Sequence, residues 1–290
     1  MSSLTGQVSA IENRARLWLE QHSRLAAGAR RELSTLAPSL MAQLDAQPVT
    51  ALAISGPPGS GKSTMARLLA ELLTTSGQAT VLLSLDDYYL SLARRKQLAL
   101  TQHPLLAHRG VPGTHDWPRL LRDLDALRKG QTTGLRLPVF DKSTDDIAAE
   151  RDWRPVGPAP AVLIIEGWCI GAPAQADSEL LAPINALEKE HDAEGAWRRL
   201  VNGQLAAYHA DLRQRIDRYW YVSVPDWDCV VDWRWQQEQE LTHPRLRSRQ
   251  EVVAFLASFE RIVTHMQMTC TGWADCLLAC DRSHRIQITQ

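Results

Sequence analysis

The chain has 290 residues, 44% of them hydrophobic and 22% charged, which suits one large α/β domain with a full core and excludes a disordered chain. The formal net charge is -1, so no overall field draws the chain to nucleic acid or to an anionic membrane, and any anion it binds must be held locally. From Ile11, Leu17, Leu19 and Leu25 to Leu33, Leu36, Leu40 and Leu44, apolar residues recur at near-helical spacing, which predicts a helical extension over 1–47, closed by Pro48. From there to residue 290 the pattern alternates between short apolar runs and helical stretches. The runs are Ala51–Ser55, Thr80–Leu85, Ala161–Ile165, Trp220–Val224 and, more weakly, Arg285–Thr289. They predict an α/β three-layer fold around a mostly parallel five-stranded sheet.

A polar insertion over about 88–160, rich in Arg, His, Pro and Gly, interrupts this pattern and contains one predicted helix at Trp117–Lys129. A helix pair is expected over Ser178–Arg218. A basic segment, His243–Arg249, precedes an amphipathic helix from about Glu251 to Met268. Five cysteines, without a Cys-x-x-Cys pair or zinc-finger histidines, read as free thiols of a reducing compartment. There is no basic segment followed by an apolar run at the start and no stretch of about 18 apolar residues. The expectation is a cytoplasmic chain without membrane or nucleic-acid partners.

The segment Gly56-Pro57-Pro58-Gly59-Ser60-Gly61-Lys62-Ser63-Thr64 satisfies G-x-x-x-x-G-K-[ST], with a predicted strand before it and a helix, Met65–Leu73, after it. Glycines let such a loop turn its N–H groups inward, and the helix N-terminus adds partial positive charge, so a nucleoside triphosphate is the expected occupant. In this reading the loop binds ATP. Lys62 reaches the β and γ oxygens, and the Ser63 hydroxyl is a magnesium ligand.

Two acids are expected beside the loop, because the carboxyl ends of parallel strands form the ligand crevice. Asp86 and Asp87 end the second run, and Asp86 is the candidate that orients an attacking hydroxyl and accepts its proton. The alternative is that the pair caps the next helix. Glu166 ends the run Val162–Ile165, where a carboxylate holds the metal directly or through water; the alternative is a solvated turn residue.

These segments resemble those of the P-loop small-molecule kinases that include uridine kinase, phosphoribulokinase and pantothenate kinase, in which the acid matching Asp86 is the proposed base. The closer resemblance is to the D-glycerate 3-kinases. Arg109-Gly110-Val111-Pro112-Gly113-Thr114-His115-Asp116 is similar to that family's R-G-x-P-G-T-H-D signature, and Leu137-Pro138-Val139-Phe140-Asp141-Lys142-Ser143 to its L-P-x-Y-D-K-S segment. Glu166-Gly167-Trp168 and Trp233-Arg234-Trp235-Gln236-Gln237-Glu238 resemble its E-G-W and W-R-x-Q-x-E elements. Phe140 stands where the family has an aromatic hydroxyl.

The resemblance implies phosphorylation of D-glycerate to 3-phosphoglycerate, with ATP and Mg2+. Glycerate is a small carboxylate with two hydroxyls, so its site needs a cation and directional polar groups. Arg109, His115, Lys142 and Arg151 are the cationic candidates, Asp116 and Asp141 the acceptors, and Asp87 and Tyr88 line the same expected site. Residues of about 226–250 correspond to a lid whose arginine approaches the transferring phosphate, and Arg234 is preferred over Arg245, Arg247 and Arg249. Two alternatives stay open. One is a P-loop kinase for another hydroxy acid, a nucleoside or a pantothenate-like acceptor; the other is a non-catalytic ATP-binding regulator.

Overall fold

The computed structural model describes residues 4–46, 49–240 and 246–290. Pro48 and the first part of the basic segment, with Arg245, lie outside them. Five uncharged residues, Ala51–Ser55, form β1, and all five are buried, as expected of a strand with helices on both faces. The other strands of the main sheet are β2 (Thr80–Ser84), β3 (Val162–Gly167), β4 (Arg218–Ser223), β5 (Cys276–Cys280) and β6 (Ile286–Ile288). Their order is β6-β5-β4-β1-β3-β2, parallel throughout except for β6, which runs antiparallel to β5.

The sheet has one strand more than the five expected. The missed strand, β5, reads Cys-Leu-Leu-Ala-Cys, without the β-branched or aromatic residues that mark a strand, and lies directly after a helix. Its burial beside β4 makes it a strand despite weak intrinsic preference. The expected helix pair over Ser178–Arg218 is a 3-10 turn at Asp177–Leu180 and two helices, Ala186–His191 and Ala196–Arg213, with Arg218 already in β4. The insertion holds, besides Trp117–Arg128, a second helix at Leu92–Thr101 that the apolar pattern did not reveal. Its N-cap is Ser91, whose Oγ accepts from the Arg94 amide.

Helices α1 (Leu4–His22) and α2 (Ala27–Asp45) form an antiparallel pair that packs on the helix after the glycine-rich loop, Lys62–Thr75, and on β6. Ala15, Leu19, Leu33, Ala37 and Leu40 are buried there and join the main core. On the far side, the helix Arg249–Thr269 is pinned by Arg261, whose guanidinium donates to the buried Glu188 carboxylate at 2.6 and 2.7 Å. That bond fixes the helix carrying Phe259. All five cysteines are free and buried. Among the described residues, no helix is long and apolar enough to cross a membrane.

Candidate active site

Register places the chemistry. β3 lies between β1 and β2, with Glu166 opposite Ile54 on one side and Ser84 on the other, so the glycine-rich loop, Glu166 and Asp86 leave the same end of three adjacent strands. A cleft of about 990 Å3 opens at that end. Gly59 and Gly61 turn the loop at φ +82° and +86°, a region that side chains with a Cβ rarely adopt. At Gly59 a Cβ would also stand 3.0 Å from that of Trp233. Gly61 precedes the helix Lys62–Thr75, whose first amides have no acceptor one turn back and face the cleft end of the sheet. Pro58, Lys62, Ser63 and Thr64 line the cleft, whereas the Ser60 side chain is buried and its hydroxyl has no hydrogen-bond partner among the described residues.

The Ser63 hydroxyl donates to Glu166 Oε2 at 3.0 Å, and Ser84 donates to Oε1 of the same carboxylate at 2.6 Å. This hard-oxygen set suits Mg2+, which takes few protein ligands and completes its shell with water and phosphate oxygens. Among the described residues there is no cluster of three or more His, Cys, Asp or Glu side chains that could hold a metal unaided. Asp86 accepts from the Tyr89 hydroxyl at 3.0 Å and from Lys142 Nζ at 2.6 Å. Burial opposes its charge, but Lys142, Lys62 and Tyr89 outweigh it and hold the carboxyl down at about 2.

Of the residues expected to meet the acceptor, Arg109 and Lys142 line the cleft. Arg109 pairs with Asp145, and its guanidinium lies 5.4 Å over the Phe140 ring. His115 is close by but buried, stacked on Tyr89 at 4.6 Å with its Nδ1 3.3 Å from the Tyr208 hydroxyl and its Nε2 without a partner among the described residues. Burial pushes its imidazolium down to about 3 against the pull of Asp86, so near pH 7 the ring is neutral and is not one of the cations.

The remaining candidates face elsewhere. Tyr88 is buried and donates to Asp123 at 3.0 Å, a carboxylate also held by Arg119 at 2.9 Å. Asp116 caps the helix Trp117–Arg128 by accepting from the Arg119 amide at 3.2 Å. Asp141 closes its own turn, accepting from Ser143 and Thr144. Asp87 accepts from the Phe140 amide at 3.3 Å and from Arg154 at 3.4 Å, which ties the insertion to the 3-10 turn after β2; burial raises its carboxyl above the usual range despite Arg154. The Arg151 side chain is 85% exposed beside Asp152 and does not line the cleft.

The structure adds groups to those expected to meet the acceptor. Tyr89, adjacent to the expected Tyr88, is the tyrosine that reaches the cleft. Trp168 donates to the Gly110 carbonyl at 3.0 Å and packs edge-on against Phe259 at 4.7 Å. Gly110 has φ +145°, and a Cβ there would stand 2.7 Å from Phe259 Cζ, so the signature glycine is set by close packing against Phe259, which lines the cleft. His284 Nε2 lies 2.9 Å from the Gly59 carbonyl, and its ring is 4.2 Å from that of Trp233.

No family model matches the chain. The uncharacterized kinase mug58 of Schizosaccharomyces pombe is 36% identical over 217 residues, which are 71% of this chain and 76% of that protein. The chain belongs to the P-loop kinases. The superfamily is one related to uridine, pantothenate and D-glycerate kinases. The chloroplastic D-glycerate 3-kinase of Arabidopsis thaliana is 29% identical over 203 residues, 67% of this chain but 42% of that protein. A solved D-glycerate 3-kinase structure from Cryptococcus neoformans var. grubii superposes with a TM-score of 0.63 over 91% of this chain and 98% of that one; at 22% identity this shows a shared fold.

In this P-loop kinase the helix Trp227–Gln239 begins where β4 ends, capped by Asp226, and carries Trp233 against the P-loop. Arg234 lines the cleft, pairs with the buried Glu238 and lies 5.7 Å over Phe255. Glu238 also accepts from the Leu246 amide at 3.2 Å, which ties this helix to the start of the next described segment. Arg249 bonds to Asp232 at 2.8 Å, and Arg247 is exposed; neither lines the cleft.

Proposed function

We propose that the chain transfers the γ-phosphate of ATP to a hydroxyl of a small organic acid, with D-glycerate the favoured acceptor and 3-phosphoglycerate the product. The observation that carries this reading is the meeting in one cleft of the P-loop, an ionised Asp86, and two cations, Arg109 and Lys142, on the acceptor side. Asp86 is the base: it orients the acceptor hydroxyl and takes its proton late in transfer. Lys62 and Arg234 neutralise charge on the transferring phosphoryl oxygens. Ser63 and Glu166 would hold Mg2+, which supplies charge neutralisation at the phosphates. Arg109 suits a planar carboxylate, and residues of about 88–160 form the acceptor-binding insertion, with 226–250 as the lid.

An ADP-release assay across D-glycerate, other hydroxy acids, a nucleoside and pantothenate tests the acceptor. The expected result is turnover with D-glycerate above the rest. A flat response to D-glycerate, with turnover on another acceptor, overturns that choice while leaving the kinase reading intact.

The Lys142–Asp86 pair carries a pH prediction. Burial alone would raise the Asp86 carboxyl, and Lys142 is the largest opposing influence. In Lys142→Ala the base therefore titrates at higher pH than in the parent. The acid limb of kcat/KM moves up the pH scale, because the unprotonated carboxylate is the active form. A limb at the same pH in both proteins would show that another group controls it.

A further inference from the structure

We propose that the turn between α1 and α2, His22–Ala26, forms the outer wall of the pocket for the nucleotide's base, with Arg24 and Leu25 as its contact groups. This rests on the nucleotide reading of the P-loop and extends it to a part of the chain outside the kinase motifs.

The direction of the nucleotide follows from the sheet. In-line transfer puts the acceptor oxygen and the rest of the nucleotide on opposite sides of the γ-phosphate. Asp86, Tyr89 and Lys142 follow β2, at one edge of the sheet, while Ser283 and His284 precede β6, at the other. Five strand spacings of about 4.8 Å separate those edges, roughly 24 Å in all. With the acceptor at the β2 side, the nucleoside extends from the P-loop toward β6, over the His284 ring that rests on Gly59. The same cleft is also lined by His22, Arg24, Leu25 and Ala26, the turn leading into α2, which packs on β6.

The turn is held where a wall needs to be. α1 and α2 pack on the P-loop helix, α2 also packs on β6, and Glu32 lies 3.9 Å from Arg285 beside that strand. Within the turn, the Leu25 amide donates to Ser23 Oγ at 3.1 Å and Arg30 donates to the Leu25 carbonyl at 3.0 Å. Leu25 is half-buried against the core and offers an apolar contact. Arg24 is exposed to the cleft and makes no hydrogen bond or ion pair with any described residue. An apolar side chain beside a planar guanidinium suits a flat, electron-rich base, which the guanidinium covers face-on.

The test uses the full chain and isothermal titration with two probes, ATP and inorganic tripolyphosphate, which lacks base and ribose. Arg24→Ala is compared with the parent and with Arg14→Ala, which removes an exposed arginine from the same hairpin. The expected result is ATP binding weakened about fivefold or more in Arg24→Ala, the scale of one guanidinium–ring contact, with tripolyphosphate affinity unchanged and Arg14→Ala like the parent. Equal ATP affinity in Arg24→Ala and parent overturns the proposal. Equal weakening of both probes also overturns it, because Arg24 would then act on phosphate. If the parent binds neither probe, the nucleotide reading falls first, and that outcome is recognised without any variant.

Discussion

Asp86→Asn is expected to bind ATP as the parent does and to transfer phosphate about 10² to 10⁴ times more slowly, the usual worth of a positioned proton acceptor. The substitution keeps the shape of the side chain, and its amide oxygen still accepts from Tyr89, so the P-loop and the cleft wall are left in place. What it removes is the charge held at about 2 and therefore present at every pH at which the enzyme would be assayed. Single-turnover transfer and nucleotide titration on the same preparation separate the two effects. Equal transfer rates in variant and parent would reject Asp86 as the base.

Glu166→Gln is expected to act through the metal and the loop together. Its carboxylate receives both the Ser63 and the Ser84 hydroxyls, so it links the P-loop helix to β2 through β3. Glutamine keeps one acceptor oxygen and replaces the other with a donor, which sets an NH2 group against a serine hydroxyl and removes the negative charge that favours a cation. Activity at fixed Mg2+ should fall by about 10- to 100-fold, and the Mg2+ concentration for half-maximal rate should rise. Unchanged Mg2+ dependence would place the metal elsewhere.

Much of the site was legible because its chemistry is local. The P-loop is a contiguous run whose glycines, lysine and serine are set by backbone geometry, and Asp86 and Glu166 could be named as candidates because each ends an apolar run in a chain with a glycine-rich loop of that pattern. The tyrosines show where this stops. Tyr88 and Tyr89 are neighbours, and in the 3-10 turn Leu85–Tyr88 and its exit they point to different sides, one into the core against Asp123 and one to Asp86. No property of the pair in sequence chooses between them. Within the signature Arg109–Asp116, only Arg109 lines the cleft, while His115 is buried beneath it and Asp116 caps a helix. A distinctive segment thus mixes groups that face the cleft with groups that shape its floor.

Strand–loop–helix order, the phosphate-binding loop and the two strand-end acids were decided by the sequence itself, since each follows from patterns within a few residues of chain. Only the tertiary structure decided that β5 is a strand, that His115 is neutral, that Trp168 and Phe259 clamp the signature loop, and that the N-terminal turn borders the cleft. Those outcomes depend on burial and on segments far apart in the chain meeting around one cleft, such as His22–Ala26 and Ser283–His284, and such meetings leave no local trace in composition or spacing.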